Sequence, residues 1–212
     1  MRITHWAGQA AALHARPITP ANRINELHAT RPAIVLGRAQ RVRDGFEDAA
    51  AAAGVGVARR VSGGTAVLVG PGECVWVDVV VERDSPGWND DIGKAGCWMG
   101  DQWVAALASV GVEGARVHRT RMEKRAGSDA VCFAGVAPGE VLAADGAKIV
   151  GISQRRTRGW AMFQCAVPLK WAPAPLIAVL GPSAEPAATA QVAVLPAETA
   201  SAAVSALATL LG

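Results

Sequence analysis

Residues 74–82, Cys-Val-Trp-Val-Asp-Val-Val-Val-Glu, constrain the fold of this chain more than any other stretch. The alternation reads as one long strand, because successive side chains of a strand point to opposite faces. Val75, Val77, Val79 and Val81 share one face; Cys74, Trp76, Asp78, Val80 and Glu82 share the other. Asp78 sits on the mixed face beside Trp76, where an acid must be solvated or paired with a cation.

Around this strand the pattern predicts a mixture of helices and short strands. Residues 7–16 favour a short helix, stopped by Pro17 and Pro20. Ala33–Leu36 is a short apolar strand closed by Gly37. Asp44 is placed to cap a helix carrying Phe46, Ala49, Ala50 and Ala53. Val55–Arg60 and residues 66–69 read as strands. A core-facing helix runs from 89–91 to about 109, with Ile92, Ala95, Gly96, Met99, Trp103, Ala106, Leu107 and Val110 as its stripe. Short strands follow near 115–118, 130–133 and 140–142. Residues 147–155 and 160–167 form a hairpin. A two-residue turn at Thr157-Arg158 would set Arg156 opposite Gly159, Lys148 opposite Val167 and Val150 opposite Cys165. Lys148, Val150, Ile152, Gln154, Phe163 and Cys165 would then share a face, and a lysine with such neighbours needs a resident or ligand anion. Residues 175–180 and 197–211 are helical, separated by the Ala/Pro-rich connector 182–190.

At 212 residues, the chain is long enough for one sizeable core. Its formal charge of +3 is too mild to imply nucleic acid. No apolar run reaches the length of a membrane span, and the N-terminus lacks a secretory core, so a cytoplasmic protein is expected. Cys74, Cys97, Cys132 and Cys165 form no C-x-x-C pair, which argues for free thiols and against zinc. No histidine falls at metal-ligand spacing, and no nucleophile elbow or Walker loop is present.

Chemistry concentrates in Arg59-Arg60-Val61-Ser62-Gly63-Gly64-Thr65-Ala66-Val67. Paired glycines admit close approach of a ligand, consecutive amides can form an anion nest, and arginine adds a bidentate grip. Ser62 and Thr65 bring hydroxyls. A basic surface turn joining two strands fits the same residues.

This loop, the strand motif Pro32-Ala33-Ile34-Val35-Leu36-Gly37-Arg38-Ala39-Gln40, the segment Ala144–Arg156 around Lys148, and the return strand Gly159–Leu169 together resemble the biotin/lipoate protein ligase superfamily. The similarity is closest to lipoate–protein ligase A and its octanoyltransferase relatives. It implies an α+β fold, a mixed, largely antiparallel sheet flanked by helices, of the class II synthetase/biotin–lipoate ligase type. The catalytic domain would span 1–181, with 182–212 as a linker and C-terminal helix packed on it. The implied activity joins ATP to a medium-chain acid, lipoate or octanoate, as an acyl-adenylate, then transfers the acyl group to a lysine of a lipoyl carrier domain or glycine-cleavage H-type protein. Arg60, Ser62, Gly63, Gly64 and Thr65 would close over the adenylate linkage, with Arg38, Gln40, Gly151 and Gln154 at the pocket edge. Lys148 would bind the carboxylate or phosphate. Val67, Trp76, Ile152, Phe163 and Cys165 are candidates for the acyl slot. Mg²⁺ would share the charge, with Asp78 as candidate ligand and Glu73 or an acid at 89–91 as substitutes.

The sequence departs from the family where Leu68-Val69-Gly70-Pro71-Gly72-Glu73 replaces the usual His-Asp and Gly-Asn, and where Gln164-Cys165-Ala166 replaces Gln-His-Gly. The accessory C-terminal domain of the large ligases is also missing from it. Two rival readings follow. Val131-Cys132-Phe133 resembles the segment of a transferase branch in which the cysteine carries the acyl group as a thioester, with acyl carrier protein as donor and no ATP. Alternatively, the chain binds a lipoyl group or carrier domain without turnover. Neither membrane nor nucleic acid is expected as a partner.

Overall fold

The computed structural model describes all 212 residues. The strands are β1 (Arg2–Gly8), β2 (Arg23–Ala29), β3 (Ala33–Leu36), β4 (Gly56–Arg59), β5 (Val67–Val69), β6 (Cys74–Glu82), β7 (Arg116–Val117), β8 (Val141–Leu142), β9 (Lys148–Arg156) and β10 (Trp160–Pro168). The helices are α1 (Ala10–Ala15), α2 (Phe46–Ala52), α3 (Ile92–Ser109), α4 (Ala174–Leu180) and α5 (Ala197–Leu210). A seven-stranded sheet runs in the order β1-β2-β6-β10-β9-β8-β7, and a three-stranded sheet in the order β4-β3-β5. Only β1/β2 and β3/β4 pair in parallel. This is the α+β, largely antiparallel architecture expected.

The valine face of β6 carries the main core. Val75, Val77, Val79 and Val81 pack with Phe163, Cys165 and Val167 of β10 and with α3 and α5. Trp103 on the α3 stripe is fully buried there. The other face of the large sheet is covered by the small sheet and α1. Leu27, Ala29 and Trp76 meet Ala33, Val35, Ala58, Val69, Ala10 and Leu13. The far side of the small sheet, through Ile34 and Leu36, is closed by α2 and α4. A four-layer arrangement results, helix–sheet–sheet–helix, and the space between the two sheets is where a ligand can enter.

Several local expectations shift. The first helix begins only at Ala10, because Ala7 and Gly8 pair with His28 and Ala29 in β1/β2. Gly45 at φ 72°, not Asp44, precedes α2. Ile92 is exposed at the start of α3, whose N-cap Asp91 accepts the Lys94 amide at 2.9 Å. Residues 130–133 do not extend as a strand: after one bridge from Val131 to Ala66, Cys132–Ala134 turn as a 3₁₀ helix. In the hairpin, Arg156 faces Ala161 and Ile152 faces Cys165. The connection is therefore four residues, with the Thr157 hydroxyl accepting the Trp160 amide. The change of two preserves the faces of Val150, Ile152, Gln154, Phe163 and Cys165.

Lys148 leaves that face. Val141 pairs with Val150 and Leu142 with Lys148, so Ile149 is an extra residue, a β-bulge. Ile149 and Val150 both enter the main core. Lys148 is thereby turned to the opposite side, where its Cε lies 3.4 Å from the point a Cβ on Gly151 would occupy.

Candidate functional site

The glycine loop is fixed by its own arginines. Arg60, 6% exposed, donates from Nε to the Gly63 carbonyl and from a terminal nitrogen to the Thr65 carbonyl, both at 2.9 Å. Arg59 donates to the carbonyls of Gly37 and Gln40 at 2.7 and 2.8 Å. A Cβ on Gly37 would lie 1.7 Å from the Gly64 carbonyl oxygen, so glycine is needed where β3 meets the loop. Thr65 Oγ1 donates to the Ser128 carbonyl, and Gln40 Nε2 to that of Ala130. Meanwhile, the backbone N–H groups of Val61 through Thr65 donate to no protein acceptor.

Two register rows on the facing side of the large sheet meet this loop. Gly151, Ala166 and Trp76 are successive partners across β9, β10 and β6, and so are Ser153, Gln164 and Asp78. The first row makes an apolar floor, the second a polar relay. Ser62 Oγ donates to Gln164 Oε1 at 2.6 Å and lies 2.9 Å from Ser153 Oγ. Gln164 Nε2 donates to Asp78 Oδ1 at 3.2 Å, and Trp76 Nε1 to the same oxygen at 3.1 Å. Arg16 holds Asp78 Oδ2 at 2.6 Å. Burial pushes the Asp78 carboxyl above its usual range, against the pull of Arg16, Gln164 and Trp76. Asp78 is 0% exposed with both oxygens engaged, so a metal there would have to displace a guanidinium. The candidate metal role of Asp78 does not fit this arrangement; its cation is Arg16.

Above the apolar row lies a narrow slot. Val35, Val67 and Val69 from the small sheet face Trp76, Gly151 and Ala166, with Cys132 and Phe133 beside Gly151 and with His14 and Arg60 in the wall. Val67 and Trp76 line it. Ile152 and Cys165 only border it, since their side chains belong to the core across the sheet. Burial pushes the Cys165 thiol up to about 12. Phe163 lies wholly on that other face, packed on Trp98, because the slot uses the even-numbered residues of β10. Cys132 Sγ is 3.9 Å from the Arg60 guanidinium.

Lys148 lies beneath Phe133 rather than in the slot wall. Its ammonium is 2.6 Å from Glu140 and donates to the carbonyls of Cys132 and Gly135 at 3.0 and 3.1 Å. The Phe133 ring centroid is 4.8 Å away. The anion expected near this lysine is therefore resident. The 3₁₀ turn at 132–134 exists on these terms, aiming two carbonyls at one buried cation.

Beyond the loop opens a wide polar cleft, lined by Val61, Gly63, Gly64 and Thr65 on one side. Arg38, Arg41, Arg155 and Arg156 also line it, against a single acid, Asp129. Gln40 and Gln154 are here, not in the slot. This excess of cations suits a polyphosphate. Mg²⁺ binds through one or two carboxylates plus substrate phosphates; Asp129, exposed and held only by Lys124 at 2.7 Å, is the carboxylate at hand once that surface pair opens. Elsewhere, His5, Glu26 and His28 bring their donor atoms within 4.8 Å of one another on β1 and β2. Glu26 pairs with Val77, so this group lies on the other face of the sheet from the slot.

Sequence reasoning missed His14, Arg16, Arg41, Asp129 and Glu140. Each joins the site through tertiary packing between distant segments, and none stands in a local pattern that marks it.

A family model for the lipoyl protein ligase A/B catalytic domain matches residues 3–207. Comparison with curated proteins gives no match. Among solved structures, the chain resembles a bipartite lipoate protein ligase of Thermoplasma acidophilum described with its E2 lipoyl domain. That likeness has a TM-score of 0.70 at 18% identity, over 99% of this chain and 82% of that one. A T. acidophilum protein with bound lipoic acid, assigned as a lipoate protein ligase, gives 0.66 at 19%, over 89% and 72%. A lipoate-protein ligase A bound with ATP gives 0.64 at 20%, over the same shares. With nearly its whole length matched, and folded as those proteins fold, the chain belongs to the lipoyl protein ligase A/B catalytic-domain family.

Proposed function

We propose that this protein activates lipoate or octanoate with ATP and passes the acyl group to a lysine of a lipoyl carrier domain or H-type protein. The observation that carries this reading is the run of five unused amides, Val61 to Thr65, at the junction of an apolar slot and an arginine-lined cleft. The alkyl chain lies over Gly151, Ala166 and Trp76. Burying about six methylenes at ~0.8 kcal/mol each contributes on the order of 5 kcal/mol. The triphosphate lies in the cleft against Arg38, Arg41, Arg155 and Arg156.

A carboxylate oxygen attacks the α-phosphorus and pyrophosphate leaves; then a neutral lysine amine attacks the acyl carbonyl and AMP leaves. Both steps build negative charge at the loop, where fixed N–H groups out of bulk water stabilise it. Mg²⁺, held by Asp129 and the phosphates, would supply further charge neutralisation. Lys148 stays paired with Glu140 beneath Phe133, where it holds the 132–135 turn that walls the slot and adds positive potential beneath the acyl carboxylate. Free thiols at all four cysteines suit the reducing cytoplasmic setting we assign; no helix is long and apolar enough to cross a membrane.

The position of Cys132 in the slot, beside Arg60, favours a second reading, ATP-independent transfer through a Cys132 thioester with acyl carrier protein as donor. Exchange of labelled pyrophosphate into ATP, driven by lipoate or octanoate, separates the two. The ligase gives exchange that survives Cys132→Ala. The transferase gives none, and instead a protein–acyl adduct that Cys132→Ala abolishes. Binding of either acid without both reactions would leave a binding protein.

A further inference from the structure

His14 lines the slot, yet neither of its ring nitrogens has a hydrogen-bond partner in the protein, and both are shielded from solvent. The ring is held against Trp76, with centroids 4.5 Å apart and planes 34° apart. Trp76 cannot serve it, because its own N–H is given to Asp78. Arg16 and Arg60, the cations facing the ring, are also committed, to Asp78 and to the loop carbonyls. Together with burial they hold the imidazole neutral, its pKa lowered to about 4. A neutral imidazole presents one donor and one acceptor. Leaving both unmatched in an apolar wall is unfavourable, so the site favours an occupant that can match one of them.

The position along the slot says which part of a ligand this is. Gly151 and Trp76 are both register partners of Ala166, so they stand two strands apart, about 10 Å. Cys132, Phe133 and the glycine loop mark the Gly151 end, next to the cleft. His14 marks the Trp76 end, where the tail of a chain would lie.

We infer that this end of the slot is a polar subsite, in which His14 pairs with a heteroatom near the tail of the acyl chain. His14 is then the residue that tells a heteroatom-bearing tail from a plain alkyl one. This inference rests on the slot being the acyl site.

The test is calorimetric titration of lipoate, octanoate and the ω-hydroxy derivative of octanoate into wild type, His14→Phe and His14→Gln, each first shown by thermal melting to be folded. Wild type should bind the ω-hydroxy acid about fivefold more tightly than His14→Phe does, the scale of one net hydrogen bond, and lipoate about twofold, sulfur being a weak acceptor, while octanoate binds both alike. His14→Gln should retain part of the preference. The imidazole nitrogen resonances of His14 should move with lipoate and stay nearly fixed with octanoate. If His14→Phe weakens all three acids equally, or none, the polar subsite is overturned while the acyl slot stands. If no acid binds wild type, the slot reading falls and takes the subsite with it.

Discussion

Replacing Lys148 by alanine tests the buried pair at the centre of the site. Lys148 is 0% exposed and Glu140 3%. The Glu140 carboxylate also accepts the amides of Ala137 and Ile152, so it cannot easily turn away to water. Removing the ammonium leaves a dry carboxylate and two carbonyls, of Cys132 and Gly135, without their cation. Breaking a buried pair from one side costs roughly 3–5 kcal/mol. For a domain of this size, 1 kcal/mol moves Tm by about 2–4 °C, so Lys148→Ala should melt about 6–20 °C below wild type. The double variant Lys148→Met/Glu140→Gln removes both charges and should recover most of that loss. Circular dichroism melts of the three proteins measure it. Pyrophosphate exchange at a temperature where all are folded then reads the chemistry apart from the stability, and the double variant should be inactive. A Lys148→Ala protein that melts within about 2 °C of wild type would refute the reasoning, because the ammonium would then not be buried against Glu140.

Gly37→Ala forces a methyl into the Gly64 carbonyl, so the loop must move; lipoate-driven exchange should fall at least about tenfold, with a smaller change in the melt. Arg155→Ala and Arg38→Ala should raise the KM for ATP by several-fold each and leave the Kd for lipoate unchanged, since both line the cleft alone. Stability should fall between about pH 6.5 and 4. The folded protein keeps His14 neutral to about pH 4, whereas the unfolded chain protonates it near 6.5. The unfolded state binds more protons over that window, a loss on the order of 3 kcal/mol, and His14→Phe should flatten the slope in pH-dependent urea melts. Asp78, raised by burial, gives a slope of opposite sign that is common to both proteins. Gly151→Ala places a methyl 3.0 Å from the Phe133 ring and should destabilise the fold through overpacking by about 1–3 kcal/mol, read in urea melts.

The period-2 pattern of residues 74–82 and the stripe of α3 were legible because each is a local consequence of burial on one face. The glycine loop was legible too, since a close approach such as Gly37 on Gly64 leaves no other residue type. Hairpin parity held although the turn is two residues longer, because an even change returns every side chain to its face. What stayed hidden depends on distant segments. The bulge at Ile149 is imposed by pairing with the short strand β8 and has no signature in 147–155. The turn at 132–134 needs a cation sixteen residues further on. Asp78 read as a metal ligand because nothing nearby in the chain announces Arg16 as its partner.

The backbone of Lys148 is clasped as firmly as its side chain. Its amide donates to the carbonyl of Gln191, and its carbonyl accepts from Ala193, so the stretch ahead of α5 is stitched to the first residue of β9. Losing that distal stretch would therefore disturb the buried Lys148–Glu140 pair from a distance. Trimming the chain before residue 191 should free the lysine's anchorage, and adding the missing peptide in trans offers a way to switch the enzyme on from outside.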